Sequence, residues 1–226
     1  MAFDLYIAEP ANLPHPLPAI FIAHAWDGLN APIEKIARHV AQLGYVAVAV
    51  DVYGKGIRGN PLGDNSHLID PLLKDRGVLR DRLQAGYAAI REIDTVDATR
   101  IGAIGYCFGG LCALDLARSV PQDLKGVVSF HGGLAGRDLK ETRPIEAAIL
   151  IEHGWDDSLA SPDDFFAFAR EMDARNADWQ AHVHGGALHA FTFEAANMPE
   201  KGLQYHEAAA RRSWQSMASF FDEIFK

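Results

Sequence analysis

The chain has 226 residues, of which 49% are hydrophobic and 23% charged. That composition excludes a disordered chain, a collagen and a disulfide-stapled miniprotein, and the length can bury a core with a pocket on it. With 21 Lys and Arg against 30 Asp and Glu the net charge is −9, which repels phosphate backbones and argues against a nucleic-acid partner.

No apolar run reaches the roughly 18 residues of a membrane span, so no membrane association is expected. The first Lys or Arg is Lys35, so the start lacks the basic segment of a secretory signal. The two cysteines, Cys107 and Cys112, are five apart. That spacing suits neither a metal knuckle nor a CxxC redox pair, and a reducing cytoplasm is the expectation.

The elements follow in chain order. Residues 18–24 (PAIFIAH) read as a buried strand after a Pro-rich turn. Residues 32–43 read as a helix with Pro in its first turn, closed by Gly44. Residues 45–50 (YVAVAV) give a second strand ending at Asp51. The segment 54–66 carries four Gly, one Pro and two Asn and reads as a loop. One or two helices are expected in 68–93, and others over 109–118, 162–176 and 203–222. Further strands are expected at 101–106, 126–131, 147–152 and 179–184. Continuous apolar strands alternating with helices predict a doubly wound, mostly parallel α/β sheet covered on both faces. No linker interrupts the pattern, so one domain over 1–226 is expected, as a monomer or homodimer.

Such sheets bind ligands beyond the C-terminal ends of their strands. His24, Asp51, Cys107, His131 and Asp157 all fall at such ends. The strongest signal is Gly105-Tyr106-Cys107-Phe108-Gly109-Gly110, which follows an apolar strand and opens an apolar helix. This is the strand–turn–helix setting of a nucleophile elbow, with Cys where Ser is usual. The glycines leave room where strand and helix approach, and the helix N-terminus favours a thiolate. A buried structural cysteine in a Gly-rich turn is the plainer alternative. In this setting a carboxylate and then a histidine follow the nucleophile in chain order. His153-Gly154-Trp155-Asp156-Asp157 and Gly185-Gly186-Ala187-Leu188-His189 both lie just past expected strands. His189 would take the thiol proton, and a carboxylate would hold its tautomer.

These segments, with Asp-Val-Tyr-Gly at 51–54 and the Gly-x-x-His-x-Phe run ending at Phe191, resemble the dienelactone hydrolase family of α/β-hydrolases along nearly the whole chain. The resemblance implies an α/β-hydrolase fold and an esterase or lactonase needing no cofactor or metal. It implies Cys107 as nucleophile, Asp157 as acid, with Asp156 as rival, and His189 as base. The oxyanion hole would be the backbone N–H groups of Phe108 and Trp26.

Two departures bear on the substrate. The family's loop Glu near the thiol is replaced by Ala25, and its carboxylate-binding Arg, four residues after the base, by Phe193. Loss of that cation favours neutral or aryl substrates over anionic lactones, with activated phosphotriesters a conceivable side substrate. Arg76, Arg80 and Arg82 are the alternative cations. Tyr53 and His131 are further candidate pocket residues, although a structural role suits His131 equally. His182 and His184 share one strand face, but no third ligand accompanies them, so metal is not expected. A catalytically silent binding protein on the same fold is the rival reading.

Overall fold

A computed structural model of the chain describes residues 2–61, 63–119, 121–136 and 143–226. In chain order it contains β1 (Leu5–Ala8), β2 (Leu17–Ala23), α1 (Ala31–Gln42), β3 (Val46–Val50), α2 (Ser66–Lys74), α3 (Arg76–Arg91) and β4 (Val96–Tyr106). These are followed by α4 (Phe108–Arg118), β5 (Leu124–Phe130), β6 (Ala148–Gly154), α5 (Pro162–Ala174), β7 (Trp179–His184), β8 (Asn197–Met198), β9 (Leu203–Gln204) and α6 (Glu207–Ile224). Strands β1 to β7 form one sheet in the order β1-β3-β2-β4-β5-β6-β7. Every pairing from β3 to β7 is parallel, and only β1 runs antiparallel, against β3.

The apolar runs fill the middle of the sheet because both faces are covered. Alternate residues of β2 and β3, such as Phe21 and Val48, pack with Leu79 and Leu83 of α3, Leu116 of α4 and Phe168 of α5. The intervening Ile20, Ile22 and Ala49 pack with Ile33 and Val40 of α1 and with Phe220 and Phe221 of α6. Helix α1 starts where Asn30 accepts from the Ile33 N–H at 3.2 Å and Pro32 supplies a fixed φ. Helix α5 starts on a reciprocal Ser161–Asp164 cap.

The structure adds one strand, resolves one helical segment into two and lengthens another strand. The four-residue edge strand β1 (LYIA) is too short to show periodicity, and its pairing with β3 defines it. The 68–93 segment divides at Asp75, whose carboxylate caps α3 by accepting from the Val78 N–H at 3.1 Å. Strand β4 begins at Val96 rather than residue 101, because a register shift lets its polar start pair with β2 at Leu17. No helix of the described residues is long and apolar enough to cross a membrane.

Candidate active site

The elbow is a packing consequence of its glycines. A Cβ on Gly105 would stand 1.8 Å from the Gly109 carbonyl oxygen, and one on Gly109 would stand 2.2 Å from that of Ala23. Only hydrogen at both positions lets α4 close against β4 and β2. Cys107 turns the chain with φ +57° and ψ −116°, a sparsely populated conformation that surrounding structure must hold in place. Its N–H donates to the Phe130 carbonyl at 3.0 Å. The thiol is left partly exposed at the α4 N-terminus, where the helix dipole favours negative charge.

His189 reaches this thiol from a loop fixed at its backbone. Its N–H donates to Gly202 O at 2.9 Å, and its carbonyl accepts from Gln204 N at 3.1 Å in β9. Nε2 lies 3.0 Å from Cys107 Sγ, and Nδ1 lies 2.8 Å from Asp157 Oδ2. The second Asp157 oxygen accepts from Leu159 N at 2.8 Å, so the carboxylate cannot swing away without losing a bond. Burial works against charge on the His189 ring. The Cys107 thiolate and the Asp157 hydrogen bond outweigh it and push its pKa up to about 10. Of the two adjacent carboxylates, Asp157 is buried and makes this contact, whereas Asp156 is exposed.

The loop after β2 is organised by a residue that sequence reading placed only at a strand end. His24 is fully buried. Its Nε2 accepts from Val52 N at 3.0 Å, so Nδ1 carries the proton and donates to Ala25 O at 2.7 Å. In a trans peptide the Trp26 N–H points opposite to the Ala25 carbonyl, so this bond sets the direction of that N–H. Tyr53, nearly buried, donates from its hydroxyl to Trp26 O at 2.7 Å. Asp51 accepts from the N–H groups of Tyr53 and Gly54, both at 3.1 Å. Ala25 is buried behind the same loop. No sequence pattern signals His24, because its role arises from contacts with β3's exit.

Burial lowers the His24 pKa from 6.5 to about 4. Between those values the unfolded chain binds the proton and the folded chain does not. Stability is therefore full above pH 6.5 and falls toward pH 4. One such ring contributes roughly 3 kcal/mol of acid destabilisation. Denaturant titrations at pH 7 and pH 5 should show this slope in the wild type and a shallower one in His24→Gln.

Two expected pocket residues lie elsewhere. His131 is fully buried and presents no surface to a ligand, which corrects its expected place on a pocket wall. Its Nε2 meets Thr192 Oγ1 at 2.7 Å, and its ring packs 5.1 Å from His189 and 5.7 Å from Phe193. Phe193 lines a cavity of about 550 Å³ between α1 and α6, whose walls include none of Cys107, Asp157 and His189. The three arginines are engaged elsewhere. Arg76 is buried against Asp115 at 2.6 Å, Arg80 pairs with Asp81, and Arg82 donates to the carbonyls of Val52 and Tyr53. His182 and His184 both meet the buried Glu152 carboxylate, at 3.1 and 2.7 Å. Among the described residues no group of three or more such side chains is arranged to hold a metal ion.

Comparison with known proteins gives a consistent picture. The model of the dienelactone hydrolase family matches residues 3–225. An uncharacterised Caenorhabditis elegans protein is 38% identical over 154 residues, covering 66% of this chain and 96% of that protein. A Yersinia pestis protein inferred to be a carboxymethylenebutenolidase is 28% identical over 229 residues, covering 96% and 82%. The crystal structure of P91, a dienelactone hydrolase-like promiscuous phosphotriesterase from metagenomic libraries, superposes with a TM-score of 0.94 at 32% identity. It covers 99% of this chain and 93% of that one.

Proposed function

The chain belongs to the dienelactone hydrolase family, an esterase or lactonase on an α/β-hydrolase fold, and from that premise we propose that it cleaves its substrates through a thioester on Cys107. The observation that carries this reading is the alignment of His189 between Cys107 Sγ at 3.0 Å and Asp157 at 2.8 Å. His189 Nε2 takes the thiol proton, and Sγ attacks the carbonyl carbon. The tetrahedral oxyanion faces the N–H groups of Phe108 and Trp26, the first at the α4 N-terminus and the second oriented through His24. His189 returns the proton to the departing alkoxide, and the acyl group remains on sulfur. Water, deprotonated by His189, then attacks the thioester. The acid leaves and the thiol is restored. Asp157 holds the Nδ1–H tautomer and offsets the imidazolium charge at each stage.

The substrate reading follows from the departures. Phe193 stands where the family's carboxylate-binding arginine is expected, and Arg76, Arg80 and Arg82 are occupied. Neutral esters, especially aryl esters with good leaving groups, are therefore favoured over carboxylate-bearing lactones. The likeness to a promiscuous phosphotriesterase supports slow cleavage of activated phosphotriesters, since the same N–H donors can stabilise charge on a phosphoryl oxygen.

The test compares kcat/KM for p-nitrophenyl acetate and a dienelactone, with mass spectrometry of the Cys107 peptide during turnover. Aryl-ester preference and an acetyl group trapped on Cys107 are expected. A wild type that prefers the lactone overturns the substrate reading. Turnover with no acetylated Cys107 in a quenched pre-steady-state burst overturns the mechanism.

A further inference from the structure

The two residues whose N–H groups serve as oxyanion donors in the mechanism above belong to separate parts of the chain, and one side chain touches both. Phe108 opens α4, and Trp26 lies in the loop after β2. Tyr53, just past β3, is 3% exposed, so it presents almost no surface to a substrate. Its ring stacks on that of Phe108, with centroids 5.7 Å apart and 18° between the planes, an offset arrangement that aromatic pairs favour. Its hydroxyl donates to Trp26 O at 2.7 Å.

The direction of the Trp26 N–H depends on the peptide planes on either side of it. Ala25 O accepts from His24 Nδ1 at 2.7 Å and from Gly28 N at 3.2 Å, which closes a turn over residues 25–28. Asp27 O accepts from Gly59 N at 3.0 Å. Between these two anchored carbonyls lies the 26–27 peptide, whose carbonyl is the one that Tyr53 holds. Each peptide is a rigid plane, so anchoring successive planes leaves Trp26 little freedom in φ or ψ.

Tyr53 is itself tied down at its main chain. Its N–H donates to Asp51 Oδ1 at 3.1 Å, and its carbonyl accepts from Arg82 Nη1 at 3.1 Å. The His24 ring lies 4.6 Å from its ring. Gly28, at φ +88°, brings the turn into contact with the same ring, since a Cβ there would stand 3.5 Å from Tyr53 Cδ2. Burial, and after it the nearby Cys112 and Cys107, push the phenol pKa up. The hydroxyl therefore stays protonated at neutral pH and keeps its role as donor.

We propose that Tyr53 is the positioning residue of the oxyanion hole: by spanning Trp26 and Phe108 it sets the gap between the two N–H donors, and so stabilises the tetrahedral intermediate without touching the substrate. This rests on the thioester reading given above. Oxyanion donors act at about 2.7–3.1 Å from the developing charge, and a site loosened by about 1 Å loses much of its effect. Removing the hydroxyl frees the 26–27 peptide to turn, while the ring can keep its stack on Phe108. The loss then falls on the transition state, and neither on substrate binding nor on the Cys107–His189 pair, whose contact involves no part of Tyr53.

The test sets three reactions of Cys107 side by side in wild type and Tyr53→Phe, with circular dichroism to check folding. The first is the acylation burst with p-nitrophenyl acetate. The second is binding of an aryl trifluoromethyl ketone, in which Sγ bonds to the carbonyl carbon and the carbonyl electron pair moves to oxygen as an oxyanion. The third is alkylation by iodoacetamide, in which the thiolate displaces iodide at a saturated carbon and no oxyanion forms. In Tyr53→Phe the burst rate constant should fall about ten-fold with KM within about two-fold, and the ketone should bind about ten-fold more weakly. The alkylation rate and its pH profile should stay unchanged. An equal fall in all three reactions reports a general disturbance of the thiol and its base, and overturns the proposal. A wild-type burst that persists at full rate in Tyr53→Phe overturns the role of Tyr53 and leaves the thioester reading standing. A wild type that hydrolyses the ester with no burst overturns the thioester reading and the proposal with it. Should Tyr53→Phe fail to fold, Phe108→Leu removes the stack from the other side. A slower burst with unchanged alkylation is expected there, and an unchanged burst overturns the spanning role.

Discussion

Cys107→Ala is expected to lower kcat for p-nitrophenyl acetate by about 10⁴-fold or more while leaving the fold intact. Loss of a nucleophile removes the covalent route, and only the oxyanion donors and binding remain to accelerate attack by water. Alanine keeps the Cβ that the elbow already accommodates at φ +57°, so no new backbone strain enters. Thermal unfolding should therefore stay close to wild type. Retention of activity within ten-fold would remove Cys107 from the mechanism. Alkylation distinguishes the two cysteines in the same way. Cys107 is partly exposed at a helix N-terminus, whereas Cys112 is fully buried and burial pushes its thiol well above the usual range. Iodoacetamide should modify Cys107 first, with loss of turnover tracking that modification.

Asp157→Asn is expected to lower kcat by roughly 10³- to 10⁴-fold at neutral pH, as loss of a tautomer-fixing carboxylate does in related constellations. Asparagine can offer its N–H to His189 Nδ1, which would place the proton on Nε2 and point a donor, not an acceptor, at the thiol. Asp157 also supports the raised His189 pKa, so in Asp157→Asn that pKa should fall, observable by NMR of the ring. Asp156→Asn, altering an exposed side chain, should change kcat by less than about two-fold. A larger loss in Asp156→Asn than in Asp157→Asn would reverse the assignment of the acid.

The layout of the sheet was legible because burial on both faces writes itself as uninterrupted apolar runs. Five of the seven sheet strands could be read this way, including 45–50, whereas 179–184 (WQAHVH) is a partly exposed edge strand that mixes polar and apolar residues. The edge strand β1 could not, since four residues hold too little pattern and its partner β3 lies some forty residues away. The elbow was also legible. Gly105 and Gly109 leave a mark in the sequence because the backbones they separate tolerate no Cβ.

The candidate site divides along a similar line. Chain order pointed to a cysteine, then a carboxylate, then a histidine, and the resemblance narrowed the carboxylate to Asp157 over Asp156. Their contrasting burial, one facing His189 and the other solvent, is set by a turn in which Asp157 N donates to Gly154 O and Asp156 N to Ala187 O. The Asp156 bond is made to a residue 31 positions away. Phe193 likewise carries no sign of its destination. It follows His189 by four residues, yet the loop turns it onto Tyr106 and into the α1–α6 cavity. His24 shows no motif at all. It gains its place by bonding both Val52 and Ala25. The sequence by itself therefore determined which segments form the sheet, which positions must lack side chains and which reactive types stand at strand ends. The tertiary structure decided which of those side chains meet, because loop orientation is set by hydrogen bonds and packing between residues distant in the chain, and such contacts leave no local periodicity to read.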